Sequence, residues 1–233
     1  MSKNVKNTTL PGPLELLAPH SCRGCGKLGS VFCDCCKNNM EKTYSNICPA
    51  CKSKNPTGNC SNCADLPSTY VVSERIEPLS TLIRDFKYQS VRSAKKPLAE
   101  LLDYILPDYQ GDVVIVPLPT TRKHIRARGL DHTYLIAKQL KKLRRNNYQV
   151  QKLLLRAKDT VQVGTDKKTR VSQAETAYKL NPKIKLNPKA TYILLDDIWT
   201  TGATMYSATK KLREFGAHKI SLALLAFSYI DQK

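Results

Sequence analysis

The sequence predicts an α/β protein, a largely parallel sheet flanked by helices, with a small cysteine-built module ahead of it. Three observations predict this. All nine cysteines lie between Cys22 and Cys63, and the rest of the chain holds none. Beyond them, apolar runs of strand length alternate with segments of helical period. The last strand-to-helix joint, "ILLDDIWTTGAT" at 193–204, sets two adjacent acids where α/β sheets bind ligands.

The cysteine module comes first. Cys22/Cys25, Cys33/Cys36, Cys48/Cys51 and Cys60/Cys63 are each C-x2-C. Such a turn aims two sulfurs at one ion, and two turns complete a tetrahedron. Eight cysteines therefore make two four-thiolate Zn2+ sites, structural because no coordination position is left open. Sequential pairing is simplest: Cys22, Cys25, Cys33 and Cys36 on one ion, Cys48, Cys51, Cys60 and Cys63 on the other. A cross-braced arrangement satisfies the same spacing, and Cys35 is a spare that can replace a neighbour. Large apolar residues are few here, so metal is expected to stand in for a core, each ion contributing on the order of 10 kcal/mol.

The remaining elements follow in order. "PSTY" at 67–70 reads as a linker. Leu79, Leu82, Ile83 and Phe86 share one helical face, as do Leu98, Leu101, Leu102 and Ile105 after Pro97. "GDVVIVPLP" is a buried strand over 113–116, stopped by prolines. A helix over 131–145 carries Ile136, Leu140 and Leu143, and a strand lies around 152–156. Residues 157–181 are polar and without period, a long loop of the kind that usually serves function. Tyr192 to Leu195 form a strand. A helix from about Ala203 carries Met205, Ala208, Leu212 and Phe215 and ends at Gly216; "KISLALLAF" closes the fold as a strand. The division is a 1–18 tail, a 19–66 metal module and a 67–233 α/β domain.

Charge narrows the partners. Lys and Arg number 38 against 19 Asp and Glu, a formal net of +19. That balance favours polyanions, either nucleic acid or phosphate-rich ligands. The stretch 138–158 holds eight Lys/Arg, no acid and Tyr148 as a stacking residue, an electrostatic footprint for nucleic acid. No apolar run approaches the ~18 residues of a membrane span, so no membrane insertion is expected. The opening "MSKNVKNTTL" has no apolar core of a secretory signal, and clustered cysteines suit metal in a reducing compartment, so the expected location is cytoplasmic.

In "ILLDDIWTTGAT", backbone N–H groups of a Gly-containing turn at a helix N-terminus make an anion site, and threonine hydroxyls add donors. Carboxylates beside such a site suit sugar hydroxyls. The loop reads as a sugar-phosphate site. It also resembles the phosphoribosyl-diphosphate (PRPP) loop of type I phosphoribosyltransferases, two acids followed by Thr-Thr-Gly. That resemblance implies that Asp196 and Asp197 hold the ribose, and that Thr200, Thr201, Gly202, Ala203 and Thr204 cradle its 5′-phosphate. Three further segments, "FKYQS", "VPLPTTRKHIRARGLDHT" and "QVGTDKKTRVSQAETAY", resemble in order those of the ComF family, which also carries a cysteine-rich zinc module ahead of its transferase domain. The resemblance spans about residues 20 to 228. The chain departs from that pattern at Asp131 and Gln173, where Asn is usual, and at Tyr178, where Phe is; Trp199 occupies a loop position that tolerates variation.

The resemblance implies a type I phosphoribosyltransferase-like sheet behind a double zinc ribbon, Mg2+ accompanying PRPP, and a link to natural competence and imported single-stranded DNA, with competence proteins such as a DNA-import helicase as partners. Pro119, Thr120, Thr121 and Arg122 are placed for a diphosphate loop, with Arg122, Arg126 and Arg128 as phosphate clamps. Lys167, Lys168 and Arg170 are candidates for a lid. No general base is evident: His124 and His132 flank the arginine segment, and a lone histidine there is more often structural or phosphate-facing. Two readings stand: a transferase, or a catalytically silent nucleic-acid-binding or PRPP-sensing protein on the same fold.

Overall fold

The computed structural model describes residues 20–42, 47–55, 57–89, 91–144, 147–157 and 178–228. Lys167, Lys168, Arg170 and Gln173 lie outside the described residues, as do the 1–18 tail and the Arg122 side chain. Five strands form one parallel sheet: β1 (Ser68–Glu74), β2 (Val113–Pro117), β3 (Tyr148–Val150), β6 (Thr191–Trp199) and β7 (Lys219–Phe227), in the order β1-β7-β6-β2-β3. The central runs VVIV, YILL and LALLAF are buried throughout, as a sheet covered on both faces requires.

One face is covered by α2 (Leu79–Tyr88), α3 (Lys95–Ile105) and α5 (His132–Leu143), through Leu82, Phe86, Leu98, Leu102 and Ile136. The other is covered by α6 (Ala203–Glu214) and by an antiparallel pair off the sheet, β4 (Leu154–Arg156) with β5 (Tyr178–Leu180). Gly216 ends α6 as expected. Its φ is 93°, its N–H donates to Arg213 O, and the N–H of Ala217 donates to Leu212 O, the paired bonds of a Schellman cap. Phe215, expected on the buried face, sits at the cap and is exposed.

Three expectations need correction. The stretch read as a linker is the start of β1, whose Ser68, Thr69 and Tyr70 pair with Ser221, Leu222 and Ala223 of β7. The strand expected to end at Leu195 runs four residues further, so Asp196 and Asp197 lie within it. The metal module is not coreless. Val31, Phe32 and Met40 join the core beneath α2 and α3, while Cys48, Cys60 and Leu66 join the opposite core with Trp199 and Met205. The first ribbon includes a short helix, α1 (Asp34–Lys42). Ion pairs fasten this ribbon to the domain: Arg23 Nε to Asp85 Oδ2 at 2.6 Å and Lys37 Nζ to Glu100 Oε2 at 2.9 Å.

Candidate functional site

The site lies between β2 and β6, at the topological switch of the sheet. From β2 the chain leaves toward α5 on one face; from β6 it leaves toward α6 on the other. Ligands of parallel α/β sheets bind in the crevice this divergence opens. The N–H of Leu118, just past β2, donates to Leu195 O at 2.9 Å, which brings the two strand ends together.

On the β6 side, Asp196 and Asp197 are half-buried, and the N–H of Asp197 donates to Asp196 Oδ1 at 2.9 Å. Burial, then the neighbouring Asp197 charge, pushes Asp196 up to about 7, against the opposing effects of Asp197 N–H, Lys87 and Arg156. Lys87, from the last turn of α2, reaches Asp197 Oδ2 at 2.5 Å. Nothing in "FKYQS" marks Lys87 for this role. It is one lysine for two acids, and Asp196, near 7, shares the excess charge with a proton; the two carboxylates are oxygen donors of the kind Mg2+ takes.

Past the acids, Thr200 and Thr201 are exposed and Gly202 turns with φ 77° into α6, so Ala203 and Thr204 open the helix. The Ala203 N–H lies 3.4 Å from Thr201 Oγ1. Glycine is required at 202: a Cβ there would sit 2.3 Å from Trp199 Cζ2. Trp199 is therefore no freely variable loop residue. It is 3% exposed, its ring meets Tyr206 edge-on at 5.9 Å, and its carbonyl accepts from Ser228 N–H.

On the β2 side, Pro119 and Thr120 are half-buried, and Thr121 caps α4 (Arg122–Arg128) by accepting from His124 N–H at 3.2 Å. Gly129, φ 72°, closes that helix. Asp131 caps α5 by accepting from Tyr134 N–H, and its other oxygen takes Lys152 Nζ at 2.9 Å. The departure to aspartate at 131 thus serves as a helix cap paired with a lysine.

The expected clamps separate. Arg126 is exposed on α4; Arg128 donates to Tyr88 Oη at 3.0 Å and lies over that ring, 4.8 Å from its centroid. His132 is buried, its Nε2 3.2 Å from Lys87 O and its ring edge-on to Phe86; burial, then the Arg128 charge, lowers its pKa. It positions the α2 terminus. His124 is exposed, and desolvation followed by the Arg128 and Arg156 charges lowers it. Tyr148 is 3% exposed and unavailable for stacking, and Arg144 is spent on Asp103 and Asp108. Of the basic stretch, Lys138, Lys141 and Lys142 are exposed on α5. Arg156, also missed, lines a cavity beside the site; it stood inside an anonymous basic run.

The cysteines resolve into the sequential pairing. Cys22, Cys25, Cys33 and Cys36 converge with all ligand atoms within 4.8 Å of one another, and so do Cys48, Cys51, Cys60 and Cys63. Sulfur separations of 3.7 Å (Cys25–Cys33) and 3.4 Å (Cys51–Cys60) match the edge of a tetrahedron with bonds of about 2.3 Å. No cysteine of the described residues is disulfide-bonded, and Cys35 is exposed outside both clusters. Burial acts to raise Cys22, but N–H groups of Cys33, Cys25 and Gly24 outweigh it and bring it to about 6; Ser53 does the same for Cys51. The two four-sulfur donor sets fit zinc. No helix among the described residues is long and apolar enough to cross a membrane.

No known family model matches the chain. Two curated proteins do. Competence protein F of Haemophilus influenzae is 27% identical over 224 residues, 92% of this chain and 93% of that protein. Competence protein ComFC of Bacillus subtilis is 25% identical over 210 residues, 79% of this chain and 78% of that one. The chain is thus similar to competence proteins F and ComFC over most of its length, and it carries paired four-cysteine clusters ahead of a parallel α/β sheet.

Proposed function

We propose that the chain is a PRPP-binding phosphoribosyltransferase that acts in natural competence, where imported single-stranded DNA is handled in the cytoplasm. The names of its relatives support the competence link. The observation that carries the ligand reading is the Asp196–Asp197 pair leading into Thr200–Thr204 at the start of α6, across the switch point from Pro119–Thr121.

In this reading Asp197, held by Lys87, and Asp196 accept hydrogen bonds from the ribose hydroxyls. N–H groups at 201–204 and the threonine hydroxyls take the 5′-phosphate. The loop 119–122 takes the diphosphate, and Lys167, Lys168 and Arg170 are the lid candidates. Mg2+, with Asp196 and Asp197 nearby, would supply charge neutralisation for the diphosphate. The chain's contribution is to fix the sugar, stabilise the departing diphosphate and keep water out. The zinc ions act in folding.

Calorimetric titration of PRPP and ribose 5-phosphate, with and without Mg2+, tests the reading; both should bind, and Asp197→Asn should weaken PRPP by at least tenfold. Failure of both ligands to bind the wild-type chain would sink it. The exposed Lys138, Lys141 and Lys142 favour a second reading, a silent DNA-binding protein. It predicts DNA affinity that falls steeply with salt and survives Asp197→Asn.

A further inference from the structure

A cavity of about 400 Å3 opens beside the acid pair, under the β4–β5 hairpin. Pro119, Ile125, Leu154 and Leu155 form an apolar wall, and Lys152, Arg156 and Lys179 supply cations. Asp131 is the acid lining it, and both its oxygens are engaged, one by the α5 cap and one by Lys152. Lys152 is in turn spent on Asp131 and on the Tyr134 ring, 4.0 Å from its centroid.

Arg156 is different. Its guanidinium lies 5.6 Å from the Tyr178 ring centroid, and its Nε is buried with no hydrogen-bond partner among the described residues. Arg156 is half-buried, and its Nε–H, held from water without an acceptor, is costly, so the balance points to an oxyanion supplied from outside. The volume lies at the low end for small-molecule sites, enough for one ring and its substituents. The Arg156 charge also opposes the rise of Asp196, which puts the cavity within electrostatic reach of the ribose end of the site.

We propose that this cavity holds the acceptor of the transfer, and that the acceptor is a small aromatic or heteroaromatic carboxylate. This rests on the phosphoribosyltransferase reading above. The ring lies against Pro119, Ile125, Leu154 and Leu155. The carboxylate takes Arg156 and Lys179, and a nitrogen faces the ribose. The lone pair of that nitrogen forms the bond to C1 as the C1–O bond to diphosphate breaks. Diphosphate leaves with the electron pair and, where the nitrogen carried one, with the proton. No protein base is consumed, in keeping with an Asp131 whose oxygens are both occupied. A neutral nucleobase would leave Arg156 unpaired, and a site built for a polar partner rejects a ligand that lacks it.

The test uses the full-length, zinc-loaded protein. Orotate, nicotinate and anthranilate are titrated with PRPP and Mg2+ present, against adenine and ammonia, and diphosphate release is followed in the same mixtures. At least one carboxylate should bind and release diphosphate, with adenine and ammonia at least 100-fold less effective. Arg156→Gln should weaken that carboxylate 30-fold or more, at least ten times the change it causes in ribose 5-phosphate affinity; Lys179→Gln, at an exposed position of β5, should weaken it about fivefold and guards against misfolding at 156. If PRPP binds and no carboxylate does, the inference fails while the function stands. It fails equally if Arg156→Gln weakens PRPP but not ribose 5-phosphate, for then the arginine serves diphosphate. If neither PRPP nor ribose 5-phosphate binds, the transferase reading itself falls.

Discussion

Replacing Lys87 by Met removes a charge while keeping most of the volume of the side chain. Lys87 Nζ and Asp197 Oδ2 are 2.5 Å apart, and their side chains are 13% and 17% exposed, so water screens them poorly. Removing one partner of a buried pair costs about 3–5 kcal/mol when the other stays charged. Here the acid pair has an escape. Asp196 already stands near 7, and loss of a cation that holds it down drives it higher, so the pair takes up a proton. Each pKa unit is worth about 1.4 kcal/mol, which brings the net loss near neutral pH to roughly 2 kcal/mol. For a chain of this size that is a fall in Tm of about 4–8 °C. The loss should grow toward pH 8.5 and shrink toward pH 5.5, where proton uptake replaces the missing cation. PRPP affinity should fall at least tenfold, because the carboxylates that meet the ribose are no longer aimed or fully charged. Thermal scans at both pH values and calorimetry at pH 7.5 measure this. An equal loss of Tm at pH 5.5 and 8.5, or an unchanged PRPP affinity in a folded variant, refutes the assignment of Lys87 to the acid pair.

Asp196 sets a pH dependence in the unsubstituted chain. Its folded value lies above the 3.8 of an ordinary aspartate, so between pH 4 and 7 the folded chain holds a proton that the unfolded chain has released; ligand-free stability should fall as pH rises through that window, and PRPP binding should strengthen over the same range as the acid ionises. Gly202→Ala meets left-handed backbone strain of about 1–2 kcal/mol and the Trp199 ring together, so phosphate affinity should drop at least tenfold with a Tm loss of several degrees by calorimetry. Elemental analysis should find about two zinc ions per chain, and Cys51→Ser should leave one. Asp85→Asn should lower PRPP affinity about threefold or more although Asp85 faces away from the ligand, with circular dichroism confirming an intact fold.

The sheet was legible because buried parallel strands are continuous apolar runs; VVIV, YILL and LALLAF state themselves. β1 was not, because STYVVSE opens on two polar residues and lies where the module ends, so its first residues looked like a linker. The glycine turn into α6 was readable because backbone geometry demands a glycine there, and the acids stand beside it in the sequence. Lys87 and Arg156 were not. A single cation among 38 Lys and Arg has no local signature, and its meaning comes from what the fold sets opposite it. The same blindness made Tyr148 a stacking residue, whereas it is packed beneath α5, a fact with no trace in periodicity.

The zinc module and the acid pair meet in one short helix. Arg23 follows the first ligand of the first ribbon, and its guanidinium holds Asp85, which is 3% exposed. Two residues on, Lys87 holds Asp197 through its side chain and meets His132 at its carbonyl; Tyr88 then takes Arg128. The last turn of α2 is thus pinned at one end by a residue whose backbone the metal cluster fixes, and at the other by the site. Desolvated ion pairs tolerate little displacement. An Arg23 that drifts when zinc leaves abandons a buried carboxylate, and the cheapest relief is for α2 to move, taking Lys87 from Asp197. The second ribbon bears on the other half of the site in the same way. Cys48, Cys60 and Leu66 share a core with Trp199, whose ring leaves room only for glycine at 202. Each ribbon therefore supports one part of the proposed ligand site, the first the sugar acids and the second the phosphate turn. A module that merely presented loops to nucleic acid would need neither contact.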